Sequence, residues 1–188
     1  SDLTLAQFKS LKGKMDASNR SATTAEGYLG GTATWRTDLY TSRGTLMTHA
    51  EYIQIVKVIA GKFTPELKYP ENPTRVVAVF GSQENYAQKM IDEYKAARIN
   101  PKNVWAQSFN LGDVVYWIQN EPKFGKQAVF LDSFPTPLPM TLAALKELGV
   151  KIIAPPMQAL LAVNAAGEIV PSQYEKDIWS FGFDIITW

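Results

Sequence analysis

The chain has 188 residues, 19 basic and 18 acidic side chains and a formal net charge of +1, so it can bury one sizeable core and has no basic run suited to nucleic acid. It has no cysteine, which excludes disulfides, thiolate metal sites and cysteine nucleophiles, and a single histidine, His49. No run approaches the ~18 apolar residues of a membrane span, and the first residues lack the charged-then-apolar layout of an export signal, which is expected to have been removed if there was one.

Thr4, followed by Leu5, Phe8 and Leu11 on one face, predicts a short N-capped helix that Gly13 stops. Residues 17 to 44 turn to Ser, Thr, Gly and Asn with isolated Tyr28, Trp35 and Tyr40. Long irregular excursions of this kind are often functional, and Trp35 is a candidate for lining a cleft. Thr48-His49-Ala50-Glu51 has the spacing of a capping box, and Tyr52, Ile55, Val56 and Ile59 follow at helical spacing up to Gly61. His49 in that first turn reads as structural. "FTPELKYP" is the next element, a strand in which Glu66 and Lys68, two positions apart, point to the same side. An isolated E-x-K is ordinarily a surface ion pair; in a site, the same two groups bind a metal and an anion.

"SQENYAQKMIDEYKAAR" is an amphipathic helix with Tyr86, Met90 and Tyr94 on one stripe. "VWAQSF" is a strand, "LGDVVYWIQNEP" a helix ended by Pro122, and "QAVFLD" a strand with Asp132 at its end. "PMTLAALKELG" is a helix and "KIIAPP" a strand; an apolar and turn segment through "AAGEIVP" leads to the helix "SQYEKDIWSFG" and the closing strand "DIITW". Trp105, Trp117 and Trp179 read as packing residues.

From Phe63 onward, five short strands alternate with four helical segments, which predicts an α/β fold with parallel strands and right-handed crossovers. The strands are apolar without clean alternation, as when both faces are buried. Their spacing of roughly 22 to 40 residues suits one βα unit of a barrel. Hydropathy alone leaves open whether the sheet is a barrel or doubly wound. Neither "GGTATW" nor "FGSQEN" fits a phosphate-binding glycine loop. The chain begins on a helix and ends on an apolar strand with no covering helix, so the expectation is a piece of a larger fold: one incomplete domain, with helices and an irregular insertion over 1–62 and β/α units over 63–188.

"DLTLAQFKSLKG", "RGTLMTHAEYIQIV", "KFTPELK", "VWAQSFNLGDVVYWI", "KIIAPP" and "DIITW" occur in that order. Together they resemble the glycerophosphodiester phosphodiesterases, in particular the bacterial subgroup with long insertions in the barrel. The resemblance spans nearly the whole chain and implies a partial TIM (β/α)8 barrel made of about the last five strands. It implies hydrolysis of a glycerophosphodiester to an alcohol and glycerol 3-phosphate, with one divalent cation, Ca²⁺ or Mg²⁺, held weakly or not at all by this chain alone. Glu66 would be a metal ligand and Lys68 the cation near the phosphate; Gln107 would donate to a substrate oxygen or else satisfy barrel backbone, Phe109 with Trp188 would form an apolar wall beside the substrate or else pack in the core, and Asp132 is a second-rank candidate. A periplasmic or secreted location is implied by the same resemblance.

The sequence departs from the family pattern in its first part. The His-Arg pair, the acid pair and the second catalytic histidine have no counterpart before Glu66, and one histidine cannot serve as both acid and base. Where relatives carry a helix-ending glycine, this chain has Arg98, so the turn is expected to be remodelled. The alternative reading is a non-enzymatic, truncated member of the family. Its open sheet edges would be covered by self-association, as a homo-oligomer, or by a missing amino-terminal segment.

Overall fold

The computed structural model describes residues 3–13, 21, 23–24 and 44–188. They fall into two compact units, Ser1–Tyr52 and Ile53–Trp188. The excursion expected over 17–44, Trp35 included, lies outside the described residues apart from Ser21, Thr23, Thr24 and Gly44.

In the first unit the Leu5–Ser10 helix starts from a capping box. Gln7 N donates to Thr4 Oγ1 at 3.2 Å and Thr4 N donates to Gln7 Oε1 at 2.8 Å. Lys12–Gly13 pairs antiparallel with Gly44–Thr45. The two glycines allow that approach, since a Cβ on Gly44 would stand 3.2 Å from the Gly13 carbonyl oxygen. The second predicted capping box is present as well: Glu51 N donates to Thr48 Oγ1 at 3.2 Å and Thr48 N to Glu51 Oε2 at 2.8 Å. It opens the His49–Ile59 helix, which ends at Gly61 with φ +72°.

The second unit is built on a parallel sheet, Gln107–Ser108, Val129–Leu131, Ile152–Ala154 and Asp184–Ile185, whose spatial order is the chain order. The "FTPELK" segment extends it at the first edge through parallel bridges Phe63 to Val104 and Glu66 to Gln107. Pro65 accepts from Gln107 N at 2.9 Å but has no N–H to return, so bridges replace a continuous strand.

Side chains of one face form the main core with the helices. Phe63, Leu67, Val104, Phe130 and Ile153 from the sheet pack with Met90, Ile91 and Tyr94 of Gln83–Ala96, Val114 and Trp117 of Leu111–Asn120, Leu145 and Ile178. The Phe63 and Tyr94 rings meet edge to face with centroids 5.1 Å apart, and Trp117 Nε1 donates to the Ala87 carbonyl at 3.1 Å. The opposite face has a smaller cluster of its own: Val129, Leu131, Ile152 and Ala154, with Trp105, Phe109 and Ile186 against it. Every member comes from a strand or its extension; among the described residues no helix contributes. Chain-order strands with helices on one face make a singly wound sheet, because a doubly wound sheet reverses its order and carries helices on both faces. Periodicity in the sequence could not make that distinction.

Several elements differ from the sequence expectations. Two helices, Pro73–Phe80 and Gln83–Ala96, separate the first two strand segments where one was expected. Asn72 caps the first of them through Thr74 N, with Pro73 in its first turn, but Val77 and Val79 are exposed, so no apolar stripe announces it. A further short helix, Pro122–Gly125, follows Leu111–Asn120. The "AAGEIVP" segment contributes to a hairpin, Leu161–Val163 against Ile169–Pro171. Its turn is held by Asn164 Oδ1, which accepts from Ala166 N and Glu168 N, each at 2.9 Å.

The turn after Gln83–Ala96 is not remodelled. Arg98 takes the left-handed conformation itself, φ +55°, with Ile99 N bonded to the Tyr94 carbonyl and Arg98 N to that of Lys95. This is the Schellman pattern, formed without its usual glycine. Among the predicted packing tryptophans Trp117 is fully buried, but Trp179 is exposed. Ile178, its neighbour in Gln173–Ser180, takes the inward position, and one residue on the helix turns by about 100°.

Candidate functional site

Alternation and register together place the candidate residues. In a parallel sheet, residues aligned across strands point the same way, and successive residues alternate. The register aligns Glu66 with Gln107, Gln107 with Val129, Val129 with Ile152 and Ile152 with Asp184. This row lies on the face against which no described helix packs. Two residues further along each segment come Lys68, Phe109, Leu131, Ala154 and Ile186, and two beyond Ile186 comes Trp188. Glu66, Lys68, Gln107, Phe109 and Trp188 therefore share one face, towards the carboxyl ends of the strands.

The E-x-K pair is formed, with Lys68 Nζ 2.7 Å from Glu66 Oε1. Its side chains are 77% and 23% exposed respectively, so most of the ammonium remains open to solvent. A pair so exposed contributes only ~0–1 kcal/mol to stability. Gln107 is committed locally: its Nε2 donates to the Thr64 carbonyl at 3.3 Å, satisfying the backbone of the neighbouring segment. Phe109 and Trp188 meet edge to face, centroids 5.7 Å apart at 84°. Trp188 Nε1 donates to the Ala154 carbonyl at 2.9 Å, which fixes the ring over the end of Ile152–Ala154 while leaving it largely exposed.

Asp132 is only 3% exposed, just past the end of Val129–Leu131. Its Oδ2 accepts from the Tyr174 hydroxyl at 2.5 Å. Burial, then the Asp132 carboxylate, push the Tyr174 pKa up, so that hydroxyl keeps its proton and remains a donor. Asp132 also lines a cleft of about 350 Å³ bounded by Phe109, Leu111, Phe130 and Pro137.

Sequence reasoning overlooked a buried polar cluster at the next junction. Asp113, 1% exposed, accepts from Ser108 Oγ at 2.9 Å, Gln83 Nε2 at 2.9 Å and Asn110 Nδ2 at 3.3 Å. Ser108 Oγ in turn accepts from Asn110 N at 3.0 Å and lies 3.4 Å from the Leu67 carbonyl oxygen. The cluster thereby joins the segment carrying Glu66 and Lys68 to the strand carrying Gln107. Burial raises the Asp113 pKa against the lowering by its donors. An available signal was the N-x-x-D spacing of Asn110 and Asp113, with the aspartate on the same helical stripe as Val114 and Trp117.

His49 stands at the start of its helix, its ring stacked towards Tyr52 at 6.3 Å between centroids. Among the described residues no three His, Cys, Asp or Glu side chains gather closely enough to hold a metal ion. A hard divalent cation takes six or more oxygens, several of them carboxylate, and Glu66 is already joined to Lys68. These residues by themselves do not fit a Ca²⁺ or Mg²⁺ site.

No protein-family profile matches the chain. It is 44% identical over 181 residues to a protein of Arthroderma benhamiae named "Extracellular protein", covering 93% of this chain and 74% of that one. The sequence resemblance points to a bacterial subgroup, whereas this relative is fungal. In structure the chain is similar to a glycerophosphoryl diester phosphodiesterase of Silicibacter pomeroyi, at a TM-score of 0.63 and 14% identity over its full length. It is also similar to a glycerophosphodiester phosphodiesterase of Parabacteroides distasonis, at 0.55 and 20% identity over 78% of the chain. It spans 58% and 52% of those two proteins, slightly more than half of each. The fold is that of the glycerophosphodiester phosphodiesterases. Among the described residues no helix is long and apolar enough to cross a membrane.

Proposed function

The chain belongs to the family of the Arthroderma benhamiae extracellular protein, and on that premise we propose that it is the carboxyl-terminal portion of a secreted phosphodiesterase barrel acting on glycerophosphodiesters. The observation that carries the reading is that Glu66, Lys68, Gln107, Phe109 and Trp188 share the face of a singly wound sheet that is free of helices among the described residues, towards its carboxyl end. Enzymes of (β/α)8 architecture work at that end, and the inward face of their strands is the one without helices. The partial coverage of the two solved phosphodiesterases agrees with a barrel completed by further strands.

In this reading Lys68 meets the phosphate charge, Gln107 adds an amide donor, and Phe109 with Trp188 forms an apolar wall for the carbon skeleton. Glu66 holds the Lys68 ammonium in place and offers one oxygen towards a divalent cation whose other ligands come from outside this chain. Hydrolysis also needs an acid and a base, and the single histidine cannot be both. These 188 residues thus supply binding, while the proton-transfer groups come from the rest of the barrel.

The test is glycerol 3-phosphate release from glycerophosphodiesters by the gene's complete product, with Ca²⁺ or Mg²⁺ added. The 188-residue chain alone is expected to release none. In the complete product Glu66→Gln should abolish release, and Lys68→Ala should weaken it by about 10- to 100-fold, as for a lost hydrogen bond to a charged group. Unchanged release in both variants overturns the site. No release by the complete product overturns the enzymatic reading in favour of a self-associating binding module.

A further inference from the structure

The hairpin of Leu161–Val163 and Ile169–Pro171 follows the carboxyl end of Ile152–Ala154 and turns an apolar face to solvent. Its register pairs Leu161 with Pro171 and Val163 with Ile169, so alternation puts all four side chains on one side. Val163 and Ile169 are 71% and 73% exposed. Met157, exposed as well, leads into the hairpin, and its N–H donates to the carbonyl of the exposed Trp188 at 3.0 Å. The base is fixed by Ser172, whose N donates to the Leu160 carbonyl at 2.9 Å and whose Oγ donates to that of Ala159 at 2.6 Å. In the turn, the N–H groups of Asn164, Ala166, Gly167 and Glu168 are bonded internally, so little backbone would lose a partner if the tip left water.

Charge and area decide what can cover this face. No Lys or Arg lies between Lys151 and Lys176, and the one acid of the hairpin, Glu168, accepts from Asn164 Nδ2 at 2.8 Å. Nothing there attracts an anionic partner, whether nucleic acid or acidic lipid. The exposed side chains, Met157 and Trp188 included, offer on the order of 500 Å², short of the about 800 Å² that each partner buries in a stable protein complex. A second copy of the chain therefore gains too little from this face. Further strands would join the sheet at its open edges, beside Asp184–Ile185 and the Phe63–Lys68 segment, whereas the hairpin hangs from Ile152–Ala154, an interior strand. A lipid surface sets no minimum area, because each apolar side chain that enters it contributes by itself.

We propose that this hairpin face docks on a bilayer of zwitterionic lipid, with Leu161, Val163 and Ile169 entering the acyl boundary and Trp188 at headgroup level. Tryptophan favours that level because its ring is apolar and its N–H polar. Docking would bring the carboxyl end of the sheet close to the lipid surface. It requires no turnover and none of Glu66, Lys68 or Gln107, so it fails or stands apart from the phosphodiesterase reading.

The test is sedimentation of the gene's complete product with vesicles of phosphatidylcholine alone and of phosphatidylcholine mixed with phosphatidylglycerol. The protein should partition onto both, to the same extent. Val163→Glu combined with Ile169→Glu should lower partition at least about tenfold, the loss of apolar side chains withdrawn from water. Val163→Leu combined with Ile169→Leu should retain it. Brominated phosphatidylcholine should quench part of the tryptophan fluorescence of the unaltered protein, a readout independent of how the variants fold. No partition onto phosphatidylcholine, partition only with phosphatidylglycerol, or no quenching would each overturn the proposal. So would unchanged partition of the glutamate variant, loss of partition in the leucine variant, or a concentration-dependent dimer that the glutamates dissolve.

Discussion

Replacing Asp113 by asparagine should leave the protein about as stable at neutral pH, whereas alanine at the same position should cost several kcal/mol. The carboxylate accepts from Ser108 Oγ, Gln83 Nε2 and Asn110 Nδ2, and is almost wholly removed from water. Asparagine can reproduce the cluster if one hydroxyl turns. Its Oδ1 accepts from Gln83 and Asn110, its Nδ2 donates to Ser108 Oγ, and the Ser108 proton moves to the Leu67 carbonyl at 3.4 Å. It also removes the desolvated charge. Alanine strands three donors at about 1–3 kcal/mol each when fully buried. Gln83 and Asn110 are half-buried and recover part of their hydration, so a net loss of about 2–4 kcal/mol follows.

The pH dependence separates the two effects further. Burial raises the folded pKa of Asp113 above its value in the unfolded chain, so between the two values the folded state binds more protons. Its contribution to stability is fully present below the ordinary aspartate range and is lost as pH rises through the raised value, with a slope of at most about 1.4 kcal/mol per pH unit. Urea unfolding followed by tryptophan fluorescence, at several pH values from acid to neutral, reads both. Asp113→Asn should flatten that part of the profile. If it destabilises as much as Asp113→Ala, or leaves the wild-type slope in place, the assignment of a desolvated charge to this cluster is wrong.

Two further predictions concern backbone geometry. Arg98→Gly should stabilise by up to about 1 kcal/mol, or about 2–4 °C in Tm, because glycine takes the left-handed cap without a Cβ clash; a lower Tm would show that the arginine side chain compensates the strain. Gly125→Ala should destabilise by about 1–3 kcal/mol or more, since the new Cβ would stand 2.4 Å from the Trp117 carbonyl oxygen and 2.5 Å from Ile118 Cα, neither of which can swing aside. An unchanged unfolding midpoint in Gly125→Ala would mean that the Pro122–Gly125 helix shifts freely against Leu111–Asn120.

The elements legible in the sequence are those whose causes are local. Thr4 with Gln7 and Thr48 with Glu51 each satisfy their own helix ends within three residues, so spacing alone predicts them. Met90 and Tyr94 were readable for the same reason, one turn of a helix bringing them to one face. Pro73–Phe80 was hidden because its apolar residues face outward as well as inward, and the hairpin at 161–171 because its exposed strands carry a weak pattern. Glu66 and Lys68 could be placed on one side of their strand because alternation is a property of any extended chain.

Composition and local pattern therefore determined that the chain alternates strands and helices, where most helices begin and end, and that Glu66, Lys68 and Gln107 belong near strand ends. Only the tertiary structure decided the winding of the sheet, and with it which face remains without helices, since strand order depends on pairings between segments more than 20 residues apart. It also decided the buried acids. Asp113 meets Gln83 across 30 residues and Asp132 meets Tyr174 across 42. No sequence window spans such separations, and a carboxylate that reads as surface in the chain becomes interior only when a distant donor satisfies it.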